Sequence, residues 1–290
     1  MAGKLRPTLG RGGKAFALPG AARDNKKRLE DLAMTATDWN PEGYARFGDL
    51  RLRPALDLLA QVPELPAGDV VDLGCGGGAV GPALAQRFVG RAVIGVDASP
   101  AMLEAARATG AYRELVQTDA AQWRPVRKPA MIFSNAALHW LAGHDALMPR
   151  LAQALAPGGV LAVQMPRQWG APSHRFIRDI AASLFGDRMA DIPDTPVQSS
   201  VRYWEMLHPL GQVTAWESEY VQRIAPQEVG HPVRAFTIST AMRPFLARLD
   251  AEEAERFLTA YDAALGAAYP LLPDGAALMP FRRVFFILQR

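Results

Sequence analysis

The sequence predicts an α/β fold built on a doubly wound, mostly parallel sheet, and three observations carry that prediction. Short runs of β-branched and apolar residues alternate with helical segments between Asp69 and Pro166. Those runs are apolar almost throughout, not at every second residue, which marks strands covered on both faces. A glycine-rich turn, "GCGGG" at residues 74–78, follows the first run directly. Such alternation favours helices on both sides of a sheet over a barrel or a sandwich.

Taken in order, the first helix is read from Ala55, Leu58, Leu59 and Val62, apolar at helical spacing and closed by Pro63. "DVVDLG" is the first strand and "AVGPALAQRF" the helix after it. "RAVIGVD" is the second strand. The next helix, "SPAMLEAARATG", has Ser99 as N-cap, Pro100 at its first position and Gly110 at its close. "RELVQTD" and "AMIFSN" are the third and fourth strands, "HDALMPRLAQALAPGG" a helix ending on a glycine pair, and "VLAVQMP" the fifth strand. After Pro166 the rhythm breaks. Residues 167–280 read as largely helical, with one strand at "QVTAWESEYVQRI", and "RRVFFILQ" is the last strand. Inserted helices of this kind sit over the carboxyl ends of the strands, where open α/β sheets bind ligands, so about 167–280 is expected to hold a substrate lid.

With 290 residues, 49% of them apolar, the chain can bury a full core. Its one cysteine, Cys75, excludes an internal disulfide and any multi-cysteine zinc site, and suits a reducing compartment, so a cytoplasmic protein is expected. No apolar run approaches the roughly 18 residues of a membrane span. The net charge is +3, yet residues 1–33 carry eight Lys or Arg against three Asp or Glu, or +5, which leaves −2 for the rest. Basicity therefore belongs to a Gly-, Pro- and Ala-rich tail, read as a disordered arm or leader ahead of a domain over 34–290, and does not argue for a nucleic-acid partner.

Within the glycine turn, Gly74, Gly76 and Ala79 fit the G-x-G-x-x-[G/A] pattern of dinucleotide sites, so a nicotinamide-dependent oxidoreductase stays open at this point. Three acids pull the other way. Asp72 precedes the turn, where a carboxylate repels a pyrophosphate and attracts an amine. Asp97 ends the second strand, placed to accept from ribose hydroxyls, and Asp119 ends the third, facing an exocyclic amine. One ligand satisfies all three: an amine, a ribose and an adenine, without phosphates.

The ordered set "VVDLGCGGG", "VIGVDASPAML", "LVQTDAAQW", "IFSNAALHWL" and "LAPGGVLAV" resembles the class I S-adenosylmethionine-dependent methyltransferases. That resemblance implies a seven-stranded Rossmann-like sheet with its last strand antiparallel, and S-adenosylmethionine as cofactor. It places Gly74, Cys75 and Gly76 along the methionine moiety, with Asp72 on its amino group. It puts Asp97 at the ribose, Met102, Asp119 and Ala120 at the adenine, Ala98 among the cofactor-binding residues, and Asn135 beside the sulfonium. Outside the shared core, "DWNPEGYARFGDLRLRPALDLLAQVP", "TAMRPFL" and "PFRRVFFI" resemble the branch of that family that esterifies a small tricarboxylic acid, trans-aconitate foremost. Another small-molecule acid is the nearest alternative, and a non-catalytic adenosyl-binding regulator a more distant one.

A carboxylate is ionised at pH 7, so methylating it requires no general base and no catalytic residue is assigned. A polyanionic acid calls for guanidinium groups, which pair carboxylates bidentately. Arg243 in "MRPFL" is the first choice, then Arg282 and Arg283 before the last strand and Arg51 and Arg53 in "RLRPA". Trp39 and Tyr44 are candidates to close over the cofactor, and His139 and Trp140 to orient the substrate. No histidine makes a metal-binding spacing with another ligand. Cys75 has no histidine near it in sequence and reads as a small lining side chain, not a nucleophile.

Overall fold

The computed structural model describes residues 48–192 and 197–290. Expectations for the basic tail, Trp39 and Tyr44, and for the side chain of Arg51, lie outside the described residues. Among those described, one seven-stranded sheet runs in the order β3-β2-β1-β4-β5-β7-β6. Its strands are β1 (Val70–Leu73), β2 (Val93–Asp97), β3 (Glu114–Gln117), β4 (Met131–Asn135), β5 (Val160–Pro166), β6 (Gln212–Ile224) and β7 (Ala277–Gln289). Pairing is parallel among β1 to β5, and β7 lies antiparallel between β5 and β6. This is the mixed sheet that the resemblance implied.

Helices cover both faces because the strands are apolar on both. On one side α1 (Gly48–Ala60) and α2 (Gly81–Arg87) pack Leu58, Leu59 and Leu84 against Val70, Phe133, Ala162 and Phe285. On the other, α4 (His144–Gln153) and α6 (Ser200–Leu207) pack Leu147, Leu151 and Tyr203 against Val71, Ile132, Val163 and Phe286. Ser99 caps α3 (Pro100–Ala108) by accepting from the Met102 N–H, as its sequence predicted. β1 pairs with both β2 and β4, so the chain's direction of travel across the sheet reverses there and a crevice opens at their carboxyl ends.

β7 is longer than the sequence reading, which began it at Arg282. The last β5–β7 pair is Pro166 with Arg283, while β6 and β7 continue to Ile224 opposite Ala277. Pro280 reads as a strand breaker, but it lies where β5 has already ended. There the side chain of Gln168 stands in for a strand, donating from Nε2 to the Pro280 carbonyl (3.0 Å) and accepting at Oε1 from the Arg282 N–H (2.8 Å). The Pro280 nitrogen points to that same open side and forfeits no ladder bond.

On this two-stranded extension sits a third apolar cluster. Ile177 and Ala181 of α5 (Pro172–Phe185), Phe236 of α7 (Pro232–Ile238) and Phe257 and Tyr261 of α9 (Ala251–Ala268) pack on Ile224, Met279 and Phe281. The short α8 (Arg243–Leu246) joins it through Phe245. Tyr261 donates to the Ser173 carbonyl (2.7 Å), tying α9 to the start of α5. Among the described residues no helix is long and apolar enough to cross a membrane.

Candidate functional site

Short strands that end together create the site. β1, β2 and β4 stop at Leu73, Asp97 and Asn135, and the turns beyond them bound a cleft of about 480 Å³. The turn after β1 is tight. Gly74 and Cys75 both donate their N–H groups to the Val96 carbonyl, at 2.7 and 3.0 Å. Gly74 has φ +76°, and a Cβ there would lie 2.2 Å from the Cβ of Ala137, so only glycine lets the two turns meet. Across the cleft Ala136 is the one non-glycine residue with positive φ among those described, at 51°. Strain of this sort persists where the surroundings enforce it, commonly at functional sites.

Each acid has a distinct environment. Asp97 is held from both sides, one oxygen accepting from the Gly76 N–H and the other from the Ser99 N–H, both at 2.9 Å. It thereby fixes the glycine turn to the start of α3. Asp119 is exposed and accepts from the Ala121 N–H at 2.8 Å. Asp72 is buried and accepts from the Tyr112 hydroxyl at 2.7 Å. Burial pushes its carboxyl up to about 7, with the Asp97 charge adding and the Tyr112 hydrogen bond pulling down. Cys75 is buried too, and its thiol is pushed far above the usual range by burial first and then by Asp72 and Asp97. A thiol so protonated is a poor nucleophile.

Tyr112 is the residue that sequence reasoning missed. Its ring fills space left by glycines: a Cβ on Gly81 would come within 2.6 Å of it, and one on Gly95 within 2.9 Å. The signal was present only indirectly, as a buried acid that needs a donor and an aromatic in "GAYREL" just past the α3 stop.

All of the residues that the resemblance assigned to the cofactor, Asp72, Gly74, Cys75, Gly76, Asp97, Ala98, Met102, Asp119, Ala120 and Asn135, line this one cleft, and Trp140 lines it as well. Among the described residues no lysine, arginine or histidine does. The proposed substrate cations lie elsewhere. Arg53 is exposed on α1, 3.9 Å from Asp57 and over the Tyr220 ring. Arg282 is exposed and 3.7 Å from Glu219. Arg283 is 3% exposed, its guanidinium 4.3 Å from the centre of the Phe281 ring. Arg243 is half-buried at the start of α8. His139 sits in a single helical turn, Leu138–Trp140, its ring 4.5 Å from that of Trp140 and tilted by 41°. That turn is pinned by the buried His144, which contacts the Leu138 carbonyl (3.0 Å) and the Tyr203 hydroxyl (2.6 Å).

Three carboxylates and, among the described residues, no cation disfavour the pyrophosphate of a dinucleotide. They suit a cationic ligand, and at Gly76 there is open space where any other side chain would stand.

Comparison with known proteins agrees with this chemistry. Residues 70–159 match the family model described as a methyltransferase domain. The chain is 41% identical over 259 residues to a trans-aconitate 2-methyltransferase of Paracidovorax citrulli, covering 87% of this chain and 98% of that one. It is 43% identical over 261 residues to one of Methylobacterium radiotolerans, with the same coverage. Among solved structures, the YcgJ protein from Bacillus subtilis is similar in fold, with a TM-score of 0.52 at 18% identity over 82% of this chain and 99% of that one.

Proposed function

The chain belongs to the family of trans-aconitate 2-methyltransferases, and from that premise we propose that it esterifies one carboxylate of trans-aconitate with the methyl group of S-adenosylmethionine. The observation that carries the cofactor half is the lining of the cleft: three carboxylates, small residues and, among the described residues, no cation. Asp72 holds the ammonium, Asp97 the ribose, and Asp119, Ala120 and Met102 the adenine, with Gly74, Cys75 and Gly76 along the methionine chain and Asn135 nearest the reacting end. When bound, S-adenosylmethionine supplies a methyl group on a positively charged sulfur.

The chain's own residues then have little acid–base work to do. The acceptor carboxylate is ionised at neutral pH, so the protein has only to hold it, align it and keep water away. Arg283 is our first assignment for a second carboxylate of the acid, because it is buried and lies on the sheet face that carries Asp72 and Asn135. Arg243 is the second cation, since Phe245 beside it packs in the same cluster as Phe281, over which Arg283 lies. Exposed to solvent, Arg53 and Arg282 rank below both. The helices on the β6–β7 extension act as the lid. Small polar reactants and a single cysteine fit a cytoplasmic enzyme without a nucleic-acid partner.

The test is direct. Purified protein with methyl-labelled S-adenosylmethionine is offered a panel of saturated and unsaturated di- and tricarboxylates. A monomethyl ester formed fastest from trans-aconitate supports the reading; preference for another acid moves the substrate, and no ester with any acid overturns the activity.

A further inference from the structure

Beyond the cleft wall, on the same face of the sheet as Asp72, lies a polar group with no role yet. Val160 and Ala162 of β5 and Phe285 and Ile287 of β7 pack toward α1, and the strand alternation puts Gln164 on that side with them. Gln164 is in register with Asn135 of β4 on one side and Phe285 of β7 on the other. It is 0% exposed, and neither its Nε2 nor its Oε1 has a hydrogen-bond partner. Oδ1 of the adjacent Asn135 also lacks one. Exchanging the amide nitrogen and oxygen changes nothing, since both are orphaned.

Buried carboxamides without partners are rare because they cost folding free energy, and each one needs an explanation. Packing alone would be served better by leucine or methionine, as at Leu161 and Met165 on the same strand. We propose that Gln164 receives the acid's reacting carboxylate, with Nε2 donating to one of its oxygens. The inference rests on the acid-methylating reading above. Asn135 lines the cleft on one side of Gln164. Arg283, two residues before Phe285 on the same face, is its diagonal neighbour on the other and within reach of a long side chain. The division of labour follows from charge. A guanidinium neutralises the carboxylate it binds, whereas a neutral amide holds an oxygen and leaves it more nucleophilic. α1 covers this face and its Leu52 lines the cleft, so the acid reaches Gln164 by displacing packing on that side.

Gln164→Leu and Gln164→Met, both close to glutamine in size, separate a ligand contact from a structural one. A structural amide loses stability when removed; an orphaned one does not. The expected result is a melting temperature equal to wild type or raised by on the order of 2 °C. Affinity for S-adenosylhomocysteine stays within twofold, and kcat/KM for trans-aconitate drops at least about tenfold. Melting temperatures that fall by several degrees in both variants, or kcat/KM within twofold of wild type, overturn the inference. A wild type that esterifies no acid overturns the functional reading and this inference with it; an active wild type beside unaffected variants overturns this inference alone.

Discussion

Binding of S-adenosylhomocysteine is expected to weaken as the pH falls from 7.5 to 6, and the cause is Asp72. Its carboxyl is buried and pushed up from 3.8 to about 7, so at neutral pH the free protein holds it about half protonated, and more fully as the pH falls. An ammonium ligand needs the carboxylate. If only the ionised form binds, the apparent Kd grows by the factor 1 + 10^(pKa − pH), which makes it roughly eightfold weaker at pH 6 than at pH 7.5. Titration calorimetry in two buffers of different ionisation enthalpy counts the protons released on binding, about 0.9 at pH 6 and about 0.25 at pH 7.5. The sign for stability is opposite. A folded pKa above the unfolded one stabilises the free protein fully below about pH 4, and that contribution is lost as pH rises to about 7, on the order of 4 kcal/mol in all. Asp72→Asn should therefore melt higher than wild type at pH 7.5 while binding the ligand weakly and without dependence on pH. A wild-type Kd equal within twofold at the two pH values refutes the assignment.

Other expectations follow from the same geometry. Tyr112→Phe removes the hydrogen bond that lowers the Asp72 pKa, so the midpoint of the binding titration moves to higher pH; an unmoved midpoint would show that the hydroxyl does not tune the acid. Arg283→Met should raise KM for the acid by roughly 10-fold or more, the worth of a charge-assisted hydrogen bond, with S-adenosylhomocysteine affinity unchanged, whereas the exposed Arg282→Ala changes either by less than twofold. Equal losses in both constants for Arg283→Met would mark a structural arginine. Gly74→Ala sets a Cβ 2.2 Å from that of Ala137 at a φ of +76° and should lower stability by about 2 kcal/mol or more, measured by thermal unfolding.

The parallel core was legible because strands buried on both faces are apolar almost throughout, as in "VLAV", and in "VVDL" apart from Asp72. The three acids were legible for a different reason: Asp97 ends its strand, Asp72 is one residue short of an end and Asp119 lies two residues past one, and strand ends converge in a doubly wound sheet. What escaped detection depends on contacts between distant segments. Tyr112 meets Asp72 across 40 residues of sequence. Gln168 completes the edge of β7 across more than 110. No periodicity encodes either contact, and Pro280 actively masked the beginning of β7. The arginines show the limit most clearly. Arg282 and Arg283 are neighbours in a strand, so the pleat sends one to solvent and buries the other, and only the sheet's register says which.

One measurement bears most directly on the central claim that this acid-lined cleft delivers a methyl group to a carboxylate. The protein is loaded with S-adenosylmethionine labelled in its methyl group, mixed with excess trans-aconitate, quenched after a single turnover, and the product is treated with mild base. The account predicts that the label enters the acid and is released by base as methanol, the signature of an ester. Label that stays on the cofactor, or enters a base-stable product, would contradict it.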